Sequence, residues 1–326
     1  MIGIVRRRAL ALAGAALATP AAARADTALP DRPLRILVGF PAGSASDAVA
    51  RIVAEALKQR TGRDVVVDTR AGASGTLAGA ALKNSPPDGT TVCCMPSATV
   101  AQKLTMASIP FEPQADLAPV TLAGTAQTAF CVSPAIGVGS LKDYVEWLKR
   151  NSTRTSFGTT AMGSFPHFFG VLTGLAIGIP LEPAPYRGAA LLVADLQGGR
   201  VAAGCGSLGD FLEPQRAGKV KLLVTSGTRR ATSAPDVPTG AELGYPSLDM
   251  PGWYAFFAPP RTPPGLIEAW GTELRAVLKQ PEIGRKMAEL GLDVETSTSA
   301  EVSQRMAADF ARWREILEAI GYRLQN

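Results

Sequence analysis

One histidine, His167, occurs in 326 residues. That scarcity excludes a metal site built from several imidazoles, and any hydroxyl or thiol nucleophile needing an imidazole base would have to share this residue. There are four cysteines and no C-x-x-C pair, so the usual thiolate spacing for zinc is missing. The chain also lacks a G-x-x-x-x-G-K-[ST] phosphate loop, a G-x-S-x-G elbow and an H-E-x-x-H pair; these carry the common phosphoryl, acyl and metalloprotease chemistries. The glycines of Gly72–Gly79 follow a strand-like segment, yet Ser97-Ala98-Thr99-Val100-Ala101-Gln102 stands where a dinucleotide fold places its ribose-binding acid. No cofactor is expected. Two long stretches, Leu117–Leu141 and Thr155–Leu181, contain no Asp, Glu, Lys or Arg. They are poor membrane spans, because Pro119, Pro134, Pro166 and scattered glycines break any 20-residue helix.

The composition, 46% hydrophobic, 19% charged and 6% aromatic, is that of a globular protein with chain enough for one large or two medium domains. Residues 1–25 read as a secretory signal peptide: Arg6, Arg7 and Arg8, then the apolar run Ala9–Ala18, then the small-residue site Ala23-Arg24-Ala25. A mature chain beginning near Asp26 and located in the periplasm is expected. The arginine pair followed by Ala9-Leu10 also permits a twin-arginine signal, with the general secretory route preferred. Cleavage removes four arginines of the formal +5 and no acid, leaving +1 on 301 residues. A nearly neutral protein lacks the excess positive charge that phosphate backbones require, so nucleic acid is not an expected partner. Nor is the mature chain expected to span a membrane.

An oxidising compartment would preserve disulfides. Cys93 and Cys94 are adjacent in a strand-like run, however, which sends their side chains to opposite faces, and Cys131 and Cys205 lie in apolar stretches. All four are expected to be small buried hydrophobes.

Along the chain, Leu34–Phe40 is a nearly continuous apolar run, suited to a strand covered on both faces. Ser46–Arg60 switches to helical spacing, with Val49, Ile52, Val53, Ala56 and Leu57 on one side, Ser46 as N-cap and Thr61-Gly62 as terminator. A strand at Asp64–Asp68, a helix at Thr76–Asn84, a turn at Pro86–Gly89 and a strand at Thr90–Met95 follow. A second alternation runs through strand Thr128–Val132, helix Leu141–Arg150, strand Thr153–Phe157 and a helix after Ser164. Ser233–Pro246 reads as a connection, Trp253–Ala258 as a strand, and two or three helices end the chain. In the last of them Val302, Met306, Phe310, Trp313, Leu317 and Ile320 form one stripe, read as core packing. The fold class is α/β.

Four loops could meet a ligand. Phe40-Pro41-Ala42-Gly43-Ser44-Ala45-Ser46-Asp47 links the end of the first strand to a helix N-terminus, where free backbone N–H groups and the helix dipole favour an anion. Arg70-Ala71-Gly72-Ala73-Ser74-Gly75-Thr76 repeats the arrangement after the second strand. Gly158–His167 supplies a third loop, rich in hydroxyls, and Tyr186-Arg187-Gly188-Ala189 a fourth, whose arginine could clamp a carboxylate. The expected ligand-facing set is Phe40–Asp47, Ala73, Ser74, Ser97, Thr159, Thr160, Gly163, Ser164, His167, Arg187, Gly188 and Ala189. Asp47 is assigned as N-cap and loop organiser, and the serines and threonines as hydroxyl donors.

In their order and wording these segments resemble the Bug-type periplasmic solute-binding proteins, the receptor components of tripartite tricarboxylate transporters. The resemblance rests on Arg32-Pro33-Leu34-Arg35-Ile36 with Phe40-Pro41-Ala42-Gly43, on Arg70–Gly75, Pro87–Thr91 and Pro110–Pro113, and on Pro185–Gly188, Pro235–Thr239 with Gly244-Tyr245-Pro246, and Trp253-Tyr254. It implies a two-lobe, Venus-flytrap binding protein of type II: lobe I from residues 26–124 and 248–326, lobe II from 125–247, and a cleft that closes on a small mono-, di- or aromatic carboxylate. It further implies presentation of that ligand to inner-membrane transporter subunits by a monomeric, non-enzymatic receptor. Two departures stand out. Ala42-Gly43 replaces a common glycine pair, and Val201-Ala202-Ala203-Gly204-Cys205-Gly206 lacks the acids often found there, which favours a plain carboxylate over an amino acid. The alternatives are a sensor feeding a signalling system and an exported hydrolase using Ser164 or Ser207 with His167, for which no orienting carboxylate lies in the adjacent loop.

Overall fold

The computed structural model describes residues 28–160 and 162–322; the expected signal peptide and its cleavage site lie outside them. In chain order the first elements are β1 (Leu34–Val38), α1 (Ala45–Thr61), β2 (Val65–Thr69), α2 (Thr76–Lys83), β3 (Thr91–Pro96), α3 (Ser97–Thr105), the single turn α4 (Pro113–Asp116) and β4 (Ala118–Ala126). Next come β5 (Thr128–Val132), α5 (Leu141–Arg150), β6 (Ser156–Thr159), α6 (Phe165–Ala176), β7 (Glu182–Pro185), α7 (Ala189–Gln197), β8 (Ala203–Ser207), α8 (Leu208–Arg216) and β9 (Lys221–Thr225). The chain closes with β10 (Gly252–Ala258), α9 (Pro264–Leu278), α10 (Pro281–Glu289), the short β11 (Leu292–Asp293) and α11 (Ser299–Ala319).

Two separate sheets result. The first has the order β11-β4-β10-β3-β1-β2, the second β7-β6-β8-β5-β9. Within the first, β1 runs parallel to β2 and β3, while β10 is antiparallel to both β3 and β4. Within the second, β6 is parallel to β7 and β8, and β5 is antiparallel to β8 and β9. The chain passes from one sheet to the other through a single residue, Gln127, between β4 and β5, and returns at Gly252, which pairs with Ala126. The crossings therefore lie side by side.

The apolar run of β1 is explained by burial from both sides: Leu34, Ile36 and Val38 join the core shared with α1, α9 and α10, whereas Leu37 joins the opposite core with α2 and α11. Cys94 and Cys93 divide in the same way, as alternation along a strand requires. The second sheet likewise has one core against α5 and α6 and another against α7 and α8. Each sheet is thus the middle of three layers. All four cysteines are buried and free.

Local chemistry sets the helix ends. Ser44, rather than the expected Ser46, is the N-cap of α1, its side chain accepting from Asp47 N; Gly62 terminates that helix with φ 70°. Thr298 and Glu301 form a reciprocal capping box on α11. The strand expected from Thr153 starts only at Ser156, because Asn151 to Arg154 turn to close α5. Ser97–Thr105 shows little helical signal of its own, with β-branched Thr99, Val100 and Thr105 in nine residues. It is helical because Val100 is buried against the core that holds Trp253 and Met306, tertiary packing overriding propensity.

The final helix joins the two halves. Val302 and Met306 belong to a core of the first sheet, while Trp313 and Leu317, further along the same stripe, belong to a core of the second.

Candidate ligand-binding cleft

Between the sheets lies a cavity of about 270 Å³. Helix N-termini build most of its wall. Ser44, Ala45 and Ser46 open α1; Pro96, Ser97 and Ala98 open α3; Ser164, Phe165 and Pro166 open α6; and Ser207 caps α8. Two of these helices pack on the first sheet and two on the second. Phe40 and Thr160 add loop contacts, and Ala126, Gln127, Thr128, Gly252, Trp253 and Tyr254 form the part contributed by the crossings. Among the described residues no Lys, Arg, Asp or Glu lines it. Four helix N-termini, with the positive ends of their dipoles, can hold an anion without a formal cation, although the N–H groups of Asp47 and Leu208 are already taken by Ser44 Oγ and Gln127 O.

Asp47 shapes the first loop from behind the wall. It is the third residue of α1, not its cap, and is 2% exposed. Its Oδ2 accepts from Gly43 N at 3.0 Å and from Arg51 Nε at 2.8 Å. The bond from Arg51, helped by that from Gly43, holds the carboxyl below its ordinary range against the opposing effect of burial. Gly43 has φ 83°, a conformation costly for a side chain. Ala42 has no such φ, so only the second position of the expected glycine pair requires glycine here.

Other polar groups in the wall are engaged by protein. Ser97 Oγ accepts from Trp253 N at 3.1 Å, and the Tyr254 hydroxyl, pushed up to about 12 by burial, bonds Ser46. In α8, burial raises the Asp210 carboxyl.

Of the expected ligand-facing residues, Phe40, Ser44, Ala45, Ser46, Ser97, Thr160 and Ser164 lie in this wall. Pro41, Ala42 and Gly43 stand outside it. Ala73 and Ser74 form the turn behind the first loop, where Thr99 Oγ1 donates to Ser74 O at 2.9 Å and Gly75 packs on the Phe40 ring. Thr159 is fully buried in β6. Gly163 donates its N–H to His167 Nδ1 at 3.1 Å; the His167 ring is 7% exposed and sits beside Phe168 and Tyr322. Burial lowers its pKa. The one acceptor nitrogen of neutral His167 is therefore spent on a loop N–H, which disfavours the general-base role that a hydrolase would need. Arg187 is exposed ahead of α7, and neither it nor Gly188 and Ala189 line the cavity. Sequence reasoning missed Pro96, Ala98, Ala126, Gln127, Thr128, Phe165, Pro166, Gly252, Trp253 and Tyr254, and named Ser207 only as a nucleophile of the hydrolase alternative. A signal existed for Pro96, Ala98, Phe165 and Pro166, which stand at or after the ends of β3 and β6, the edge where open α/β sheets bind ligands.

A family model described as "Tripartite tricarboxylate transporter family receptor" matches residues 49–322. The chain belongs to this family. The protein BugT of Bordetella pertussis is 32% identical over 323 residues, covering 98% of this chain and 99% of BugT. Among solved structures, the periplasmic binding protein BugD superposes with a TM-score of 0.75 at 26% identity, over 91% of this chain and all of BugD. Rpa4515 of R. palustris, solved with adipate, gives a TM-score of 0.79 at 25% identity, over 91% of this chain and 99% of its own. The two-lobe binding-protein fold expected from the sequence is the fold of this family receptor. No helix among the described residues is long and apolar enough to cross a membrane, and no cluster of His, Cys, Asp and Glu among them could hold a metal ion.

Proposed function

We propose that the protein is a periplasmic receptor which captures a small dicarboxylate in the cleft and presents it to the membrane subunits of a tripartite transporter. One observation carries the reading: four helix N-termini, two from each sheet, converge on a cavity whose wall has no charged side chain among the described residues. An acid with a carboxylate at each end can bridge the two pairs, and so draw the sheets together. The adipate held by Rpa4515 has that form. In this reading residues 1–25 are removed on general secretion, the lobes comprise residues 26–124 with 248–326 and residues 125–247, and the hydroxyls of Ser44, Ser46, Thr160, Ser164 and Ser207 supplement the backbone donors.

The test combines native mass spectrometry of residues 26–326 with thermal denaturation against adipate, malate, benzoate and acetate. A ligand at 100 times its Kd stabilises the folded state by about 2.7 kcal/mol, which is several degrees for a chain of this size. A co-purifying acid, or such a shift with a dicarboxylate, supports the reading. No bound mass and no shift with any of the four overturns it.

A further inference from the structure

The last helix is anchored on one sheet and reaches the ligand wall of the other. Val302 and Met306 fix α11 to a core of the first sheet. Further along, Asp309 accepts from Trp253 Nε1 at 2.5 Å, and Trp253 belongs to β10 and to that same core. Four residues later Trp313 has crossed over and packs in a core of the second sheet. Its side chain is 6% exposed, and its ring stacks on Phe165 with centroids 4.4 Å apart and planes 20° from parallel.

Phe165 is the first residue of α6, directly after the Ser164 cap; it is half-buried and lines the cleft. On another side its ring meets the chain crossing, where a Cβ on Gly252 would stand 3.5 Å from it. A void of about 30 Å³ borders both Phe165 and Trp313. A smaller side chain at position 313 would join its vacated volume to that void and remove the stacking partner. The Phe165 ring would then have room to withdraw from the cleft.

We infer that Trp313 is a positioning residue for the ligand: carried on a helix anchored to the first sheet, it backs Phe165 and the first turn of α6, and so sets the length of acid that fits between the sheets. The inference rests on the dicarboxylate reading above, because a bridging acid has its length fixed by the separation of the helix N-termini that hold its two ends.

The linear dicarboxylates from succinate to suberate, equal in charge and graded in length, are titrated calorimetrically into the parent chain, Trp313→Leu, Trp313→Phe and Leu172→Ala. Leu172 lies in the core about two turns along α6 from Phe165 and controls for lost stability alone. Trp313→Leu should raise affinity for the longer acids relative to the shorter ones by at least about tenfold. Trp313→Phe keeps a ring to stack and should shift the ratio less, by about threefold. Leu172→Ala should lower the melting temperature and leave the ratio unchanged. If Trp313→Leu does not fold, the shift in Trp313→Phe decides. The inference is overturned if the Trp313 variants weaken every acid by the same factor, if preference moves to shorter acids, or if Leu172→Ala shifts it as far. Failure of every acid to bind the parent chain is a different result: it removes the dicarboxylate reading, and this inference with it.

Discussion

Gly209 of α8 and Leu290, which follows α10, meet across the two sheets: a Cβ on Gly209 would stand 2.4 Å from the Leu290 carbonyl oxygen. The contact is reciprocal, since a Cβ on Gly291 would stand 2.6 Å from Gly209 N. Backbone faces backbone, so no flexible side chain can yield. Nearby, Thr232 N donates to the Asp293 carboxylate at 3.2 Å, adding a polar tie between the halves.

Gly209→Ala should therefore hold the sheets apart without harming either one. Gly209 is helical and free of positive φ, so alanine favours its helix by roughly 0.5–1 kcal/mol. The expected signature is a loss of cleft affinity of at least tenfold, about 1.4 kcal/mol, with unchanged or raised melting temperature and a larger radius of gyration in the ligand-bound solution. Calorimetry and small-angle scattering read both; an unaltered Kd would show that this contact plays no part in closure.

Asp47→Ala removes the acceptor for Gly43 N, an exposed donor that water can then satisfy, so the direct cost stays below the roughly 1–3 kcal/mol of a buried unpaired donor, but it frees the loop that presents Ser44 and Ser46. Stability and cleft affinity should both fall. Asp47→Asn keeps an acceptor for Gly43 and should lie between. The pH dependence has a definite sign. Because the folded carboxyl is held below its ordinary 3.8, its contribution is present above that value and is lost as pH falls through the lower, folded one. Chemical denaturation between pH 2 and 5 should show a shallower slope in Asp47→Ala than in the parent chain, the remainder coming from other carboxyls held below their ordinary values, such as Asp88, Asp116 and Glu301.

The layering was readable from periodicity: the buried run of β1, the alternation that parts Cys93 from Cys94, and the stripe of α11 all follow from one residue's relation to the next few. The first loop was also readable, since strand, small residues and cap lie together. The rest of the cleft was not, because Trp253 and Tyr254 come from β10, more than 150 residues after Ser97, and reach it only through the pairing of β10 with β3 and β4. Arg187 shows the converse. An arginine after a strand suggested a clamp, and the fold leaves it exposed ahead of α7, outside the cavity wall.

The thiols should be silent in the native protein. All four are buried and free, and burial pushes Cys94 up to about 12 and Cys93 well above its ordinary value, so the reactive thiolate is scarce. A thiol reagent at pH 8 is expected to modify no cysteine before unfolding and four afterwards. Rapid labelling of any one in the folded chain would contradict the packing described for both sheets.

His167 should give stability a mild acid limb near neutrality. Its ring is buried, burial lowers its pKa from 6.5, and its Nδ1 must remain unprotonated to accept from Gly163 N. Above pH 6.5 it is neutral in both folded and unfolded chains and contributes no slope. Below 6.5 the unfolded chain takes a proton that the folded chain refuses, so stability falls with decreasing pH until the folded pKa is reached, at no more than about 1.4 kcal/mol per pH unit for one proton. Most carboxylates ionise well below this window, between roughly pH 3.5 and 4.5, which separates the histidine from Asp47. Urea denaturation of the ligand-free chain at half-unit steps from pH 5 to 8 should show the limb. His167→Gln, whose amide oxygen can still accept from Gly163, should flatten it while keeping the fold. If the limb persists in that variant, the proton is taken up elsewhere, and the Gly163 bond is not what ties the α6 loop to pH.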